Sequence, residues 1–270
     1  MLVVACVKQV QDTTQVKIDP VTGTLIREGV PFIMNPFDTH ALEESLRLKD
    51  RYGLQVAVIS MGPPNTEITL RKALALGADE AVLLSDRAFG GADTLATSMV
   101  LSEAIKRLNE KEEVGIVICG RQTIDGDTAQ VGPGIATRLG YSQLTLVDHI
   151  ESVDLKAKKV RARRKMGGRR EIVEAPLPAM ISVLREINHP RYPTVPMRLM
   201  AEEAPVVLWD NREMKLDENT IGLKGSATQV RKIFSPERAK GEILGDGVNK
   251  PEETAQLLLD KLIEKDLLYL

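Results

Sequence analysis

Short apolar runs alternate with helical rhythms along the first half of the chain. Residues 2–7 form a first strand. Residues 38–51 read as a helix, with Asp38 or Thr39 as its cap and Leu42 and Leu46 four apart on one face. A second strand follows at 54–60, a helix at 64–76 and a third strand at 81–84. Asp93 or Thr94 opens a helix running to 109, and 114–119 is a fourth strand. Strand and helix in alternation predict an α/β fold, with a parallel sheet covered on both faces. Ligands of such sheets lie beyond the carboxyl ends of the strands. The loops after Val7, Ser60, Leu84 and Cys119 meet that condition.

From residue 144 the pattern changes. Residues 144–153, 158–165 and 170–175 read as extended segments, the last two turning at Met166-Gly167-Gly168. Residues 178–184 give another buried strand. The segment Asn188-His189-Pro190-Arg191-Tyr192-Pro193-Thr194-Val195-Pro196-Met197 holds three prolines, which favour an extended form without N–H donors. Tyr192, Val195, Met197 and Leu199 would then point outward as an apolar peg; the plainer alternative is a linker packed on its own domain. Residues 201–248 are mixed, with a glycine-rich joint at Gly222-Leu223-Lys224-Gly225-Ser226. A final helix starts near Pro251 and collects Ala255, Leu258, Leu259, Leu262 and Ile263 on one face, which needs a cover, either its own sheet or a partner.

Composition narrows the function classes. The 270 residues are 43% hydrophobic and 27% charged, as in an ordinary soluble globule, and only 3% aromatic. A net charge of −2 gives no global attraction to nucleic acid, and the arginines at 161–170 lack interleaved aromatics. No apolar run approaches the roughly 20 residues that span a bilayer, and the first residues lack a signal-peptide pattern, so a cytoplasmic compartment is expected. Cys6 and Cys119 exclude a cysteine-only zinc site, and His40, His149 and His189 show no metal spacing.

The strongest chemical signal follows the fourth strand: Gly120-Arg121-Gln122-Thr123-Ile124-Asp125-Gly126-Asp127-Thr128-Ala129-Gln130-Val131-Gly132-Pro133. Val131, Ile135 and Leu139 then stack on one helix face. A strand–loop–helix joint offers free N–H groups and a dipole to an anion. Asp127 or Thr128 can cap that helix, and Gly126 leaves room for a ligand. Ser60-Met61-Gly62 and Asp93-Thr94, with Thr97 one turn on, add hydroxyls and a glycine at the same edge. Each alone is an ordinary cap; together they favour a dinucleotide-sized ligand. No GxxxxGK[ST] or strand-borne GxGxxG occurs.

These residues together resemble the beta subunit of electron transfer flavoprotein over essentially the whole chain. The likeness rests on Val4-Ala5-Cys6-Val7-Lys8, Met34-Asn35-Pro36-Phe37, Ser60-Met61-Gly62-Pro63, Ala73-Leu74-Ala75-Leu76-Gly77-Ala78-Asp79, the loop at 120–133 and Pro190-Arg191-Tyr192. It implies a Rossmann-like domain of the adenine nucleotide alpha hydrolase-like kind at 1–228, with added antiparallel strands. A C-terminal arm at 229–270 would pack on an alpha subunit that carries FAD. The family's nucleotide pocket maps onto Ala5, Asn35 to Asp38, Met61 and the run from Gly120 to Val131, and Cys6 and Lys8 beside Ala5 are further cofactor-binding candidates. The docking loop for acyl-CoA or related flavin dehydrogenases maps onto 192–196.

Single-flavin members hold AMP in the pocket and read Asp-Asp-Asp-x-Asn-Gln-Thr-Gly-Gln at the loop. Here Asp125-Gly126-Asp127-Thr128-Ala129-Gln130 is similar to the electron-bifurcating members, which place a second FAD there. Thr94 and Thr97 would meet its diphosphate, Gln122 and Thr123 its ribityl or ring edge. The resemblance implies an NADH-oxidising electron carrier within a larger complex, passing electrons to ferredoxin or flavodoxin and, through the alpha-subunit FAD, to a dehydrogenase. No acid, base or nucleophile is expected. The alternatives are a plain carrier subunit with AMP, and a nucleotide-binding regulatory or adenylating protein.

Overall fold

The computed structural model describes residues 1–12, 17–18, 25–26, 31–230 and 241–268. They fall into two compact units, Met1–Val230 and Arg231–Leu270.

In the first unit, β1 (Leu2–Cys6), β2 (Gln9–Gln11), β3 (Lys17–Ile18), β4 (Leu25–Ile26) and β5 (Phe32–Met34) precede the helix α1 (Pro36–Tyr52). Next come β6 (Gln55–Met61), α2 (Glu67–Leu76), β7 (Glu80–Leu84), α3 (Thr94–Lys111), β8 (Val114–Gly120) and α4 (Val131–Leu139). The chain continues through β9 (Ser142–Asp154), β10 (Lys159–Met166), β11 (Arg169–Pro176), β12 (Ala179–Val183), α5 (Val195–Glu203), β13 (Val207–Trp209) and α6 (Asn211–Met214). A nine-stranded sheet runs β11-β10-β9-β12-β8-β1-β6-β7-β13. Its strands from β9 to β13 pair in parallel, while β9, β10 and β11 form an antiparallel meander at one edge. The α/β class, the parallel core and the added antiparallel strands are as the sequence predicts.

The first strand explains both layers of the core. Val3 and Ala5 face one way and pack with Leu42 and Leu46 of α1 and Leu70 of α2. Leu2, Val4 and Cys6 face the other way and meet Val100 and Ile105 of α3 and Ile135 of α4. Alternation along a strand buried on both faces requires apolar residues at every position, which is why β1 and β8 read as unbroken apolar runs. The basic residues of the meander are paired across it: Arg163 and Arg170 both reach Asp148, at 2.7 and 3.2 Å, and Arg161 meets Glu151 at 2.7 Å. These ladders cover a sheet edge with charge.

Several helix starts differ from the sequence reading; α2 begins at Glu67 rather than 64, after a single 3-10 turn at Pro64–Thr66. Helix α1 begins at Pro36 with Asn35 as its N-cap residue, and neither Asp38 nor Thr39 caps it. Proline at the first helical position needs no N–H partner, so the start shifts upstream. Helix α5 begins at Val195, inside the segment expected to be extended, because Thr194 accepts the Met197 N–H at 3.4 Å and Pro196 fits the first turn. Tyr192, Val195, Leu199 and Met200 are exposed, whereas the helical turn carries Met197 inward toward Gly77.

In the second unit α7 (Pro251–Glu264) is amphipathic, with none of its side chains buried and Leu257 and Leu258 about half exposed. Lys261 pairs with Glu242 there at 2.5 Å. Among the described residues no helix is long and apolar enough to cross a membrane.

Candidate nucleotide site

The chain winds outward from β1 to β6 and β7, then crosses through α3 to β8 on the other side of β1. That reversal falls between the ends of β1 and β8, where sheets of this kind usually open a crevice for a ligand. Cys6 and Cys119 lie side by side beneath it in the parallel register. Both are buried, and burial pushes the Cys119 thiol up to about 12 and the Cys6 thiol well above its ordinary value. They are inert packing groups under the site.

The crevice floor comes from the corner between β5 and α1. Asp38 accepts the Lys8 N–H at 2.8 Å on one oxygen and the Gly120 N–H at 3.2 Å on the other. Asn35 donates from Nδ2 to the Gln122 carbonyl at 2.9 Å and accepts the Ile124 N–H at 3.2 Å. Its own N–H donates to the Lys8 carbonyl at 2.8 Å. Asn35 is fully buried and Asp38 nearly so. Burial pushes the Asp38 carboxyl up to about 7, against hydrogen bonds from Asn35, Lys8 and Gly120 and the Lys8 charge, which act to lower it. Gly120 is required here: a Cβ would come within 2.6 Å of the Phe37 Cβ and 2.7 Å of its backbone carbon, and would also strike Asp38.

The rim is polar and held by its own side chains. Lys8 Nζ meets Asp125 at 2.6 Å, Gln122 Nε2 donates to Asp127 at 2.6 Å, and the Thr94 hydroxyl donates to Gln130 Oε1 at 2.8 Å. Burial raises the Asp125 carboxyl, but hydrogen bonds from Lys8 and Thr123 and the Lys8 charge outweigh it and leave it below the usual range. Asp127 and Ala129 adopt φ of 53° and 56°, the left-handed region that non-glycine residues seldom enter. Such strain concentrates at ligand clamps. Gly126 is exposed, and a Cβ there would find only Thr123 Oγ1, at 3.4 Å.

Two helix N-termini reach this rim, since α3 and α4 pack against each other. In α3 the Asp93 carboxylate accepts the Leu95 and Ala96 N–H groups at 2.9 and 3.1 Å. It also accepts the Thr228 N–H and hydroxyl at 2.9 and 3.0 Å. Asp93 is therefore consumed as a clasp, while Thr94 and Thr97 remain half-buried beside it. In α4 the N-cap residue is Gln130, which makes no side-chain cap bond, and Asp127 and Thr128 lie too far upstream to cap it. Uncapped first-turn amides suit an anion. A Cβ on Gly132 would fall 2.7 Å from Cys119 Sγ, so glycine there, with Pro133 next, lets α4 press on β8.

The remaining candidates divide. Ala5 is buried under the crevice, Met61 is half-buried on the α3 side, and Gly62 packs on Thr66. Ser60 is fully buried and its hydroxyl has no partner among the described residues. Beyond Arg121 lies a recess of about 620 Å³ lined by Phe37, Arg121, Lys165, Arg185 and Glu186, with the Arg185 guanidinium 4.4 Å from the Phe37 ring. Tyr192 lines a groove of about 780 Å³ together with Ile68, Arg71 and Arg198. Val195 is exposed and Met197 half-buried at the start of α5. Phe37, expected in the pocket from the resemblance, lies against Gly120. Sequence reasoning missed Arg185, Ser226 and Thr228 as neighbours of the site; their contacts span distant segments and leave no local signal.

Comparison with known proteins matches residues 22–214 to the family model described as electron transfer flavoprotein domain. The chain is 50% identical over 266 residues to the electron transfer flavoprotein subunit beta of Clostridium acetobutylicum, covering 98% of this chain and 99% of that protein. It is 46% identical over 271 residues to the caffeyl-CoA reductase-Etf complex subunit CarD of Acetobacterium woodii, covering 99% and 100%. Protein FixA of Azotobacter vinelandii is 45% identical over 262 residues, covering 96% and 93%.

Proposed function

The chain belongs to the electron transfer flavoprotein family, on the beta-subunit side, and from that premise we propose that its edge site takes FAD and receives electrons from NADH. Beta subunits of the family pair with an alpha subunit and serve flavin-linked electron transfer. The reading assigns this chain to the bifurcating kind, with ferredoxin or flavodoxin as one acceptor. The other route leads through the alpha-subunit FAD to a partner dehydrogenase. Its relative CarD is named as part of a caffeyl-CoA reductase-Etf complex, which supports a flavin-dependent reductase as that partner.

The observation that carries the reading is Gly126. The rim is exposed at this point and a Cβ would meet a single atom, so no side chain closes the edge where a ligand longer than a mononucleotide must pass. The polar groups present fit such a ligand. The first turn of α4 suits a diphosphate, as does the Thr94 hydroxyl once turned from Gln130; Gln122 and Thr123 can donate to, and Asp125 accept from, ribityl or ribose hydroxyls. Bound FAD would supply the hydride and single-electron chemistry, which no side chain of the site provides. The chain's own part is to hold the dinucleotide at the sheet edge and to position it against the alpha subunit. On this reading the C-terminal arm at 229–270 packs on that subunit, and the exposed Tyr192, Val195 and Leu199 meet the dehydrogenase.

Flavin counting on the purified heterodimer tests this directly. Two FAD per heterodimer, both reduced by NADH without oxygen, support the proposal. One FAD with one AMP assigns the chain to the plain carriers. Absence of flavin with any partner would point to a nucleotide-binding regulatory protein.

A further inference from the structure

We propose that Asn35 and Asp38 are positioning residues of the nucleotide loop: their side chains brace the segments after β1 and β8 from beneath. This rests on the nucleotide reading above and changes what the 35–38 corner is for. A pocket wall would present free polar atoms to the crevice. These two side chains instead have their groups engaged by the protein. The two oxygens of Asp38 take N–H groups from Lys8 and Gly120, which are 30 and 82 residues away. The amide of Asn35 takes the carbonyl of Gln122 and the N–H of Ile124. With the Asn35 N–H on the Lys8 carbonyl, the Lys8 residue is gripped through both its donor and its acceptor.

The consequence is mechanical. Lys8 and Asp125 form the rim pair, and each belongs to a segment fixed by this brace. The left-handed Asp127 and Ala129 follow directly downstream. A loop with two non-glycine residues in that region needs an anchor at its base to keep one geometry. A charge-assisted acceptor shared by two buried N–H groups is such an anchor.

The charged and titratable groups facing Asp38 are Lys8 after β1, Cys6 on β1 and Cys119 on β8. Both thiols stay neutral near neutrality, while the Asp38 carboxyl changes state near 7. An ionised carboxylate accepts both N–H groups; a protonated one turns a hydrogen toward one of them. If the carboxylate braces the loop, ligand affinity falls on acidification. If it acted as a bare negative charge on a diphosphate, affinity would rise instead.

The experiment is equilibrium dialysis of FAD, whose diphosphate keeps its charge across this range, against the full-length chain, free and assembled with its alpha subunit. Asp38→Asn and Asn35→Ala are expected to weaken FAD binding about tenfold, the scale of one lost buried hydrogen bond. Wild-type affinity is expected to fall between about pH 8 and about pH 6, and that of Asp38→Asn to stay flat. Should Asp38→Asn fail to fold, Asn35→Ala and the wild-type pH series decide. Unchanged affinity in folded variants, or wild-type affinity that rises on acidification, overturns the brace. Wild-type protein that binds neither FAD nor AMP overturns the nucleotide reading itself.

Discussion

Arg191 holds Glu43 through three donors: its backbone N–H at 3.0 Å, Nε at 2.9 Å and Nη2 at 3.1 Å, while Nη2 also reaches Asp50 at 2.7 Å. Glu43 is buried on α1, so this contact fixes the residues just before Tyr192 and α5. The Arg191 guanidinium is held above its ordinary range by these carboxylates, with the Glu43 hydrogen bonds as the first cause. Arg191→Ala strips the cation and both side-chain donors from a buried carboxylate, leaving it the backbone N–H alone, and is expected to cost on the order of 2 kcal/mol. Urea unfolding measures the loss, and hydrogen exchange at 190–200 is expected to quicken. Arg191→Lys recovers only part of it, because one ammonium cannot reproduce the guanidinium fork. Equal exchange in wild type and Arg191→Ala would show that the segment is ordered by α5 alone.

Gly120→Ala places a methyl against Phe37 and Asp38 where nothing can retreat, since one neighbour is backbone. Overpacking of this kind costs about 1–3 kcal/mol. The same shift pulls the Gly120 N–H off Asp38. Thermal unfolding is expected to drop and FAD or AMP binding to weaken together. A variant with native unfolding temperature and native affinity would mean that the corner yields more easily than its packing implies.

Much of this was legible because strands and helices obey local periods. The unbroken apolar runs at β1 and β8 announced strands buried on both faces, and Val131, Ile135 and Leu139 announced α4. Strand β13 hid in a mixed stretch because its three residues form an edge strand paired only with β7. The start of α5 was obscured by prolines, which favour extended chain in general yet fit a helix at its first turn. The site shows the same division. The loop from Gly120 to Gln130 was visible as a glycine-bearing joint, but the use of Asp38 on Gly120 depends on a contact across 82 residues. No local rule separates a capping aspartate from a bracing one.

Asp38 also shapes stability against pH. Its carboxyl sits at about 7 when folded and near 3.8 when unfolded, so between these values the folded chain holds a proton that the unfolded chain has lost. The contribution is fully present below about 3.8 and is lost as pH rises through about 7. The steepest loss is roughly 1.4 kcal/mol per pH unit. The difference in unfolding free energy between wild type and Asp38→Asn isolates it from other carboxyls. That difference is expected to move against wild type from about pH 4 to about pH 7 and then level off. A constant difference would place the folded carboxyl near its ordinary value.

The last helix separates intrinsic stability from assembly. No side chain of α7 is buried, and Leu258 is about half exposed on its apolar side. If that side lies on the alpha subunit, Leu258→Asp puts an unpaired charge into an apolar contact while removing little from this chain's own core. Unfolding of the isolated chain is then expected to shift by no more than about 0.5 kcal/mol, as for an ordinary surface change. The heterodimer dissociation constant, read by sedimentation, is expected to rise about tenfold or more. The opposite pattern, a large stability loss with unchanged association, would place the helix against its own chain. In that case the apolar face at 255–263 has its cover within the subunit, and the alpha subunit must be gripped elsewhere.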